Sequence, residues 1–314
     1  MVELGFCKSQ TGVRFPQPAP LYTVRGEEKK KMAVKVFPNY YTRDGVVVNT
    51  PKTGLAQALL DSDPRGEDLI LQPGDHNWVN IGVGNPSHKG TAIRKEPFNV
   101  KIIGTDRNHC VLNQVTIGHT TLGGDEPAVR RVIFKNFTLD GRGVLRPFVT
   151  NMSTYGGIVG VNQCTIRSNQ NTQFGIRGNG SYTYRMKDII GHDGLQEWLV
   201  YCDYGPGKNV FRNISGRGCG RGILQYVLRT YSNIHTDVDA DARMEITNCK
   251  AIDCGWAGAA AVSVNGFMGP VLIRNLHVDT KHKSGAVVCT FDNKQNKMSN
   301  PTAPANERIV VGPG

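Results

Sequence analysis

The chain has 314 residues, of which 39% are hydrophobic and 20% charged, an ordinary composition for a globular protein with a substantial core. No apolar run approaches the ~18 to 20 residues that a membrane-crossing helix needs. Residues Met1 to Gln10 lack the basic segment and apolar stretch of a secretory signal, so the expected setting is a virion, the cytoplasm or a processed secreted form. The net charge of +11 favours polyanionic partners. The basic residues are spread along the chain rather than gathered on one helix face or tail, so an acidic polysaccharide is expected over nucleic acid.

Residues 1–65 read as an extension and capping segment. Its first fifty residues show no clear period, carry Pro16, Pro18 and Pro20, and include the run Lys29-Lys30-Lys31, a solvated loop. Gly54 to Asp61 (GLAQALLD) reads as a short amphipathic helix with Leu55, Ala58 and Leu59 on one face. Leu69 and Leu71 then alternate with polar residues as in a strand, Pro73-Gly74 supplies a turn, and a further strand covers Val100 to Gly104.

From there one template recurs: apolar, polar, Asn-like, apolar or Cys, any, apolar, then a polar turn. The copies start at Phe134, Val161, Met186, Phe211, Ile246 and Ile273. Their third positions are Asn136, Gln163, Asp188, Asn213, Asn248 and Asn275, with spacings of 27, 25, 25, 35 and 27 residues. A second apolar stretch follows each by about eleven residues, for example Phe148-Val149, Leu199-Val200 and Ala286-Val-Val288. Two or three short strands per ~25-residue coil predict an all-β, right-handed parallel β-helix over residues 66–290 with a short N-terminal capping helix. Residues 291–314 form a C-terminal loop with a final strand at Arg308 to Val311. A ladder of Asn-like side chains bonding the backbone of the next coil is expected to satisfy amides at the turn.

The register sorts the cysteines into columns. Cys164 and Cys249 directly follow the Asn-like position, Cys219 and Cys254 lie six residues after it, and Cys202 and Cys289 fourteen after it. Matched offsets predict inward-facing thiols acting as small hydrophobes, and free thiols are expected. The adjacent-coil pair Cys219 and Cys254 is the one that could bridge.

The segments GLAQALLD, GEDLILQPGDH and VKIIG, followed by these coils, resemble the pectate-lyase-like superfamily of β-helix proteins over about two thirds of the chain. The resemblance implies polysaccharide lyases, polygalacturonase-type hydrolases or phage tailspikes as functional classes. The Arg-x-Pro-x-x-Arg of classical pectate lyases is missing, as are the Asn-Thr-Asp and Gly-His-Gly of polygalacturonases. No catalytic residue therefore transfers by motif.

The repeat itself nominates a site. Four residues after the Asn-like position stand Asp140, Arg167, His192, Arg217, Ile252 and Asp279. Stacked coils repeat every ~4.8 Å, so these form a row on the outer wall. Arginines gripping a uronate carboxylate would acidify the neighbouring C–H, and His192 would act as base or acid in β-elimination. The expected catalytic set is His192, Arg167, Arg217 and Asp193, with Asp140, Arg221, Tyr184 and Tyr201 binding substrate. The same polar residues also suit solvated turns and structural ion pairs, Asp140 with Arg167 among them. The 35-residue spacing marks an insertion around 231–243 whose Asp237, Asp239 and Asp241 offer oxygen ligands for Ca²⁺. The expected activity is a lyase on an acidic polysaccharide. The alternatives are a glycoside hydrolase, with Asp193 and Glu197 or Asp203 as paired carboxylates, and a non-catalytic glycan-binding or virion protein of tailspike type.

Overall fold

Six long strands dominate the chain: Val129–Asp140, Ile158–Arg167, Thr183–His192, Lys208–Arg217, Arg243–Ile252 and Val271–Asp279. Each carries its Asn-like residue in mid-strand, and all six of these residues hold a positive φ between 52° and 60°. Asn and Asp tolerate the left-handed region better than other residues with a side chain, which is why the template repeats there. In Ile158–Arg167 the inward residues are Val159 and Val161 before the bend, then Cys164 and Ile166 after it. The left-handed residue sits out of the ladder, since Asn162 pairs with Lys187 and Cys164 with Ile189. It thus bends each strand into two walls of the coil while keeping apolar side chains inward on both.

A third wall comes from shorter strands: Phe148–Asn151, Phe174–Ser181, Trp198–Tyr204, Gly222–Val227, Val262–Asn265 and Val287–Thr290. Each long strand pairs in parallel with the long strand of the next coil, and each short strand with the next short one. The molecule is a parallel β-helix, as the repeat predicts. This computed structural model describes residues 33–49, 53–83, 92–94, 98–118, 129–151, 157–192, 194–205, 207–227, 242–267, 269–279, 287–290 and 309–312.

The parallel ladder begins before residue 66. Val34–Val36 stacks in parallel on Glu67–Leu71, which stacks on Phe98–Gly104. An antiparallel hairpin, Tyr40–Arg43 with Val46–Asn49, closes this end. Its turn, Asp44-Gly45, has φ of 52° and 80°, matching a two-residue turn with both central residues left-handed. Arg43 ties the hairpin to the first coil through Glu67 at 2.7 Å. The helix Gly54–Leu60 buries Leu55, Ala56, Ala58 and Leu59 against the same end. At the far end Ile309–Gly312 pairs in parallel with Val271–Asp279.

The core is one continuous stack running from Val34 to Ile273. Cys110, Cys164, Cys202, Cys219, Cys249 and Cys254 are buried and form no disulfide. Burial holds the Cys164 and Cys202 thiols far above their ordinary range and pushes Cys249 up to about 11, so they behave as neutral packing groups. Cys219 and Cys254 are in contact through their thiols but not bonded. Cys7 and the side chain of Cys289 lie outside the described residues.

The Asn ladder differs from expectation in its partners. Asn213 Nδ2 donates to Asp188 Oδ1 at 2.6 Å, Asn248 to Asn213 at 3.2 Å, and Asn275 to Asn248 at 2.9 Å. These are bonds between side chains, because the ladder on either side already satisfies the neighbouring amides. Asn136 alone among these four asparagines reaches backbone, donating to the Gly104 carbonyl at 2.7 Å.

Candidate functional site

The second wall, formed by the trailing halves of the long strands, carries the residues that the register nominates. Arg167 pairs in the ladder with Asp140 on one side and His192 on the other. Gly191 pairs with Gly216, which places Arg217 beside His192 one step further, and Arg217 pairs with Ile252. Inward Cys164 and Ile166 alternate with outward Thr165 and Arg167, so the row faces solvent. His192 and Arg217 are exposed and Arg167 half-buried. The backbone beneath is fixed: Ser168 Oγ donates to the His192 carbonyl at 2.8 Å, and the Gly141 amide donates to the Arg167 carbonyl at 2.7 Å. One Arg, one His and one Arg thus stand on successive coils, ~4.8 Å apart.

Asp140 ends the row but belongs to a different partner from the one anticipated. Arg142 grips it through Nε at 3.0 Å and Nη2 at 2.7 Å, and its amide donates at 3.1 Å. These Arg142 bonds, with Arg167 contributing at longer range, hold its carboxyl below the usual range. Asp140 is therefore a satisfied turn anchor, since a two-residue separation lets the guanidinium fold back on the carboxylate.

Arg221 also has a structural tie. At the entry to the third wall, Arg146 Nε donates to Gln173 Oε1 (3.0 Å) and Gln173 Nε2 donates to Glu197 Oε1 (2.8 Å). Arg221 Nε then pairs with Glu197 Oε2 at 3.7 Å. This ladder crosses four coils, and no spacing rule in the sequence revealed it.

The two tyrosines do not line an open groove. Tyr184 has no exposed surface; its OH donates to the Asp203 carbonyl at 2.6 Å and accepts from the Ser181 amide at 3.1 Å. Tyr184 is a core residue, stacked in register with Val159 of the preceding coil. Tyr201 is 5% exposed and packs with Phe174 and Trp198 in a small aromatic cluster apart from the main core. Arg177 lies over the Phe174 and Tyr201 rings at 5.4 and 5.6 Å. Phe174, Arg177 and Trp198 are not among the residues expected to bind substrate. The signal was there: both Leu199 and Val200 enter the core, so strict alternation fails and Trp198 and Tyr201 face outward together.

Of the carboxylates considered for hydrolysis, Glu197 is engaged by Gln173 and Arg221, and Asp203 is 1% exposed with its Oδ1 accepting from the Gly180 amide at 2.8 Å. Asp193 lies outside the described residues, as do Asp237, Asp239 and Asp241 of the insertion. Among the described residues no cluster of three or more His, Cys, Asp or Glu could hold a metal ion, and no helix is long and apolar enough to cross a membrane.

Comparison of the chain with protein families, with curated proteins and with solved structures finds no match to any of them.

Proposed function

We propose that this chain is a pectate-lyase-like β-helix protein that holds an acidic polysaccharide along its second wall and cleaves it by β-elimination. The observation that carries this reading is the solvent-facing row Arg167, His192, Arg217, one residue per coil in ladder register. A uronate polymer presents a carboxylate on each sugar, and a guanidinium can take one in bidentate fashion. Neutralising that carboxylate acidifies the adjacent C–H. His192 accepts this proton, the C–O bond to the next sugar breaks, and the departing oxygen takes a proton from solvent or a neighbouring acid. The products are an unsaturated uronate end and a new reducing end.

The second reading is a non-catalytic glycan-binding protein of tailspike type. It is favoured by the ties that hold Asp140, Glu197 and Arg221 in structural pairs and leave His192 as the proton-transferring group of the row. A hydrolase is the weakest reading, because Glu197 and Asp203 are both engaged within the fold.

Incubation with a panel of uronate polymers, with and without Ca²⁺, separates the three. Ultraviolet absorbance of the unsaturated product is followed alongside reducing ends. The lyase reading expects both to rise, and His192→Ala to abolish both while leaving the far-ultraviolet circular dichroism unchanged. Reducing ends alone would mean hydrolysis. Binding with neither signal would leave the adhesin.

A further inference from the structure

The first wall, built from the leading halves of the long strands, carries a different and denser set of charges. Its outward positions follow from the ladder: Lys135 pairs with Asn162, Asn162 with Lys187, Lys187 with Arg212, Arg212 with Thr247 and Thr247 with Arg274. Beside this row stand Arg185 and, one coil beyond Lys208, Arg243. Lys135, Arg185, Arg212, Arg243 and Arg274 are exposed and Lys187 is half-buried.

Carboxylates are scarce here. From the coil of Lys135 to that of Arg274, Glu245 is the acidic residue among the described ladder positions facing out of this wall, and Asp188 stands at its border, at the bend, where it accepts from Asn213. Glu245 is shared between Arg212 at 3.9 Å and Arg243 at 3.4 Å. Lys135, Arg185, Lys187 and Arg274 make no ion pair among the described residues. Six stacked coils therefore present a cationic strip about 24 Å long, from five steps of ~4.8 Å. Like charges held this close on a rigid sheet repel one another, a cost that an anionic chain lying along the strip would relieve.

We infer that this wall is a docking surface for a linear acidic glycan, carboxylated or sulfated, running parallel to the solenoid axis. It is separate from the Arg167–His192–Arg217 row, lying on the other side of the left-handed bend at Asp188 and its equivalents. The inference concerns binding and holds whether or not cleavage occurs. Three features favour a glycan over other polyanions. Sites for single-stranded nucleic acid add aromatic platforms on which bases stack. The outward residues of this wall between Lys135 and Arg274 are instead Lys, Arg, Asn, Thr, Glu, Gly, Ile, Val and Leu. Duplex readout uses a helix or ribbon that enters a groove, whereas this wall is a sheet face. Thr247, in the same row, accepts from Arg212 Nε at 3.3 Å and keeps its O–H to donate to a sugar hydroxyl.

The test is equilibrium binding of the whole chain to heparin and to polygalacturonate over a salt series. Single-stranded oligothymidylate and phosphatidylserine vesicles serve as competing probes. The Arg185→Gln/Lys187→Gln/Arg274→Gln variant is expected to bind the glycans at least about tenfold more weakly, with a log K against log salt slope shallower by about 2 to 3, on the ~0.7 to 0.9 per cation known for nucleic acids. The single variants Arg185→Gln and Arg274→Gln, both at exposed sites, should each show part of the loss. A triple variant of Arg167, His192 and Arg217 to Gln is expected to lose any cleavage while keeping the wall's share of the salt slope, so failure of the reaction and failure of the wall read out separately. Unchanged affinity and slope in the first-wall variants would overturn the inference. Oligonucleotide or vesicle binding equal to or tighter than glycan binding, and lost in the same variants, would overturn the choice of partner.

Discussion

Tyr184 and His192 belong to one strand, Thr183–His192, yet the first is sealed in the core and the second stands in solvent. An even separation along a continuous strand would put them on one face. Asp188 lies between them in the left-handed conformation and shifts the parity, so the inward positions run 184 and 186, then 189 and 191. That parity assigns Tyr184 to the architecture and His192 to the surface. Its consequence is testable: Tyr184→Phe leaves the Asp203 carbonyl and the Ser181 amide without their buried partner and should cost about 1 to 3 kcal/mol in urea unfolding. Glycan affinity of the folded variant should be unaltered. Weakened binding at full stability would return Tyr184 to the list of substrate contacts.

The repeating element is the bent long strand, and its hinge residue is where local preference and global fold agree. Asn213 holds φ of 55°, donates to Asp188 and accepts from Asn248. Asn213→Ala removes both bonds and puts a residue without local hydrogen bonding in a conformation that costs it ~1 to 2 kcal/mol, so a total loss of about 2 to 4 kcal/mol is expected in chemical denaturation. Asn213→Gly keeps the backbone conformation at no steric cost and should lose distinctly less. Equal losses would mean that the ladder's hydrogen bonds, and not the bend, set the stability. The same element explains what could be read beforehand. Asn136 through Asn275 mark the coils because one backbone requirement recurs at a fixed register, and the flanking apolar pairs follow from it. The N-terminal hairpin does not repeat, and its signal was the single dipeptide Asp44-Gly45 between apolar runs. The ladder Arg146–Gln173–Glu197–Arg221 was illegible for a different reason: its members come from turns of unequal length, so no constant offset joins them. The row Arg167–His192–Arg217 was legible because the strands that carry it keep a constant one.

On the scale of the whole molecule, the solenoid offers two polar walls divided by a line of bends, and they differ in chemistry. The second wall mixes Arg, His and Lys with Thr, Ser, Ile and the carboxylates Asp140 and Asp279, while the first concentrates lysine and arginine with little opposing charge. A net charge of +11 is thus partly the sum of a directional feature rather than a uniform coat. The two ends differ as well. The hairpin covers Val34–Val36 and the helix Gly54–Leu60 packs at the same end, so the sheet edge passes to the short strand Val46–Asn49, paired on one side among the described residues.

The constant offset has a further meaning for chain length. Strands Ile158–Arg167 and Thr183–His192 align residue for residue at a separation of 25, as Ile158 with Thr183 and Arg167 with His192 show. The next strand keeps the same step, with Met186 beside Phe211. A coil in this region is therefore a removable cassette. Excising residues 163–187 joins Asn162 to Asp188 and leaves a left-handed residue at the splice, inward positions at 161 and 189, and Phe148 facing Val200 across the new junction. The shortened protein should fold as a solenoid about 4.8 Å shorter, with cooperative unfolding at reduced midpoint. An excision one residue longer should not fold, because it inverts inside and outside for the second half of the strand. Circular dichroism and thermal melting of the two deletions would decide it, and two equally well-folded products would show that the coil is not the unit of inheritance in this chain.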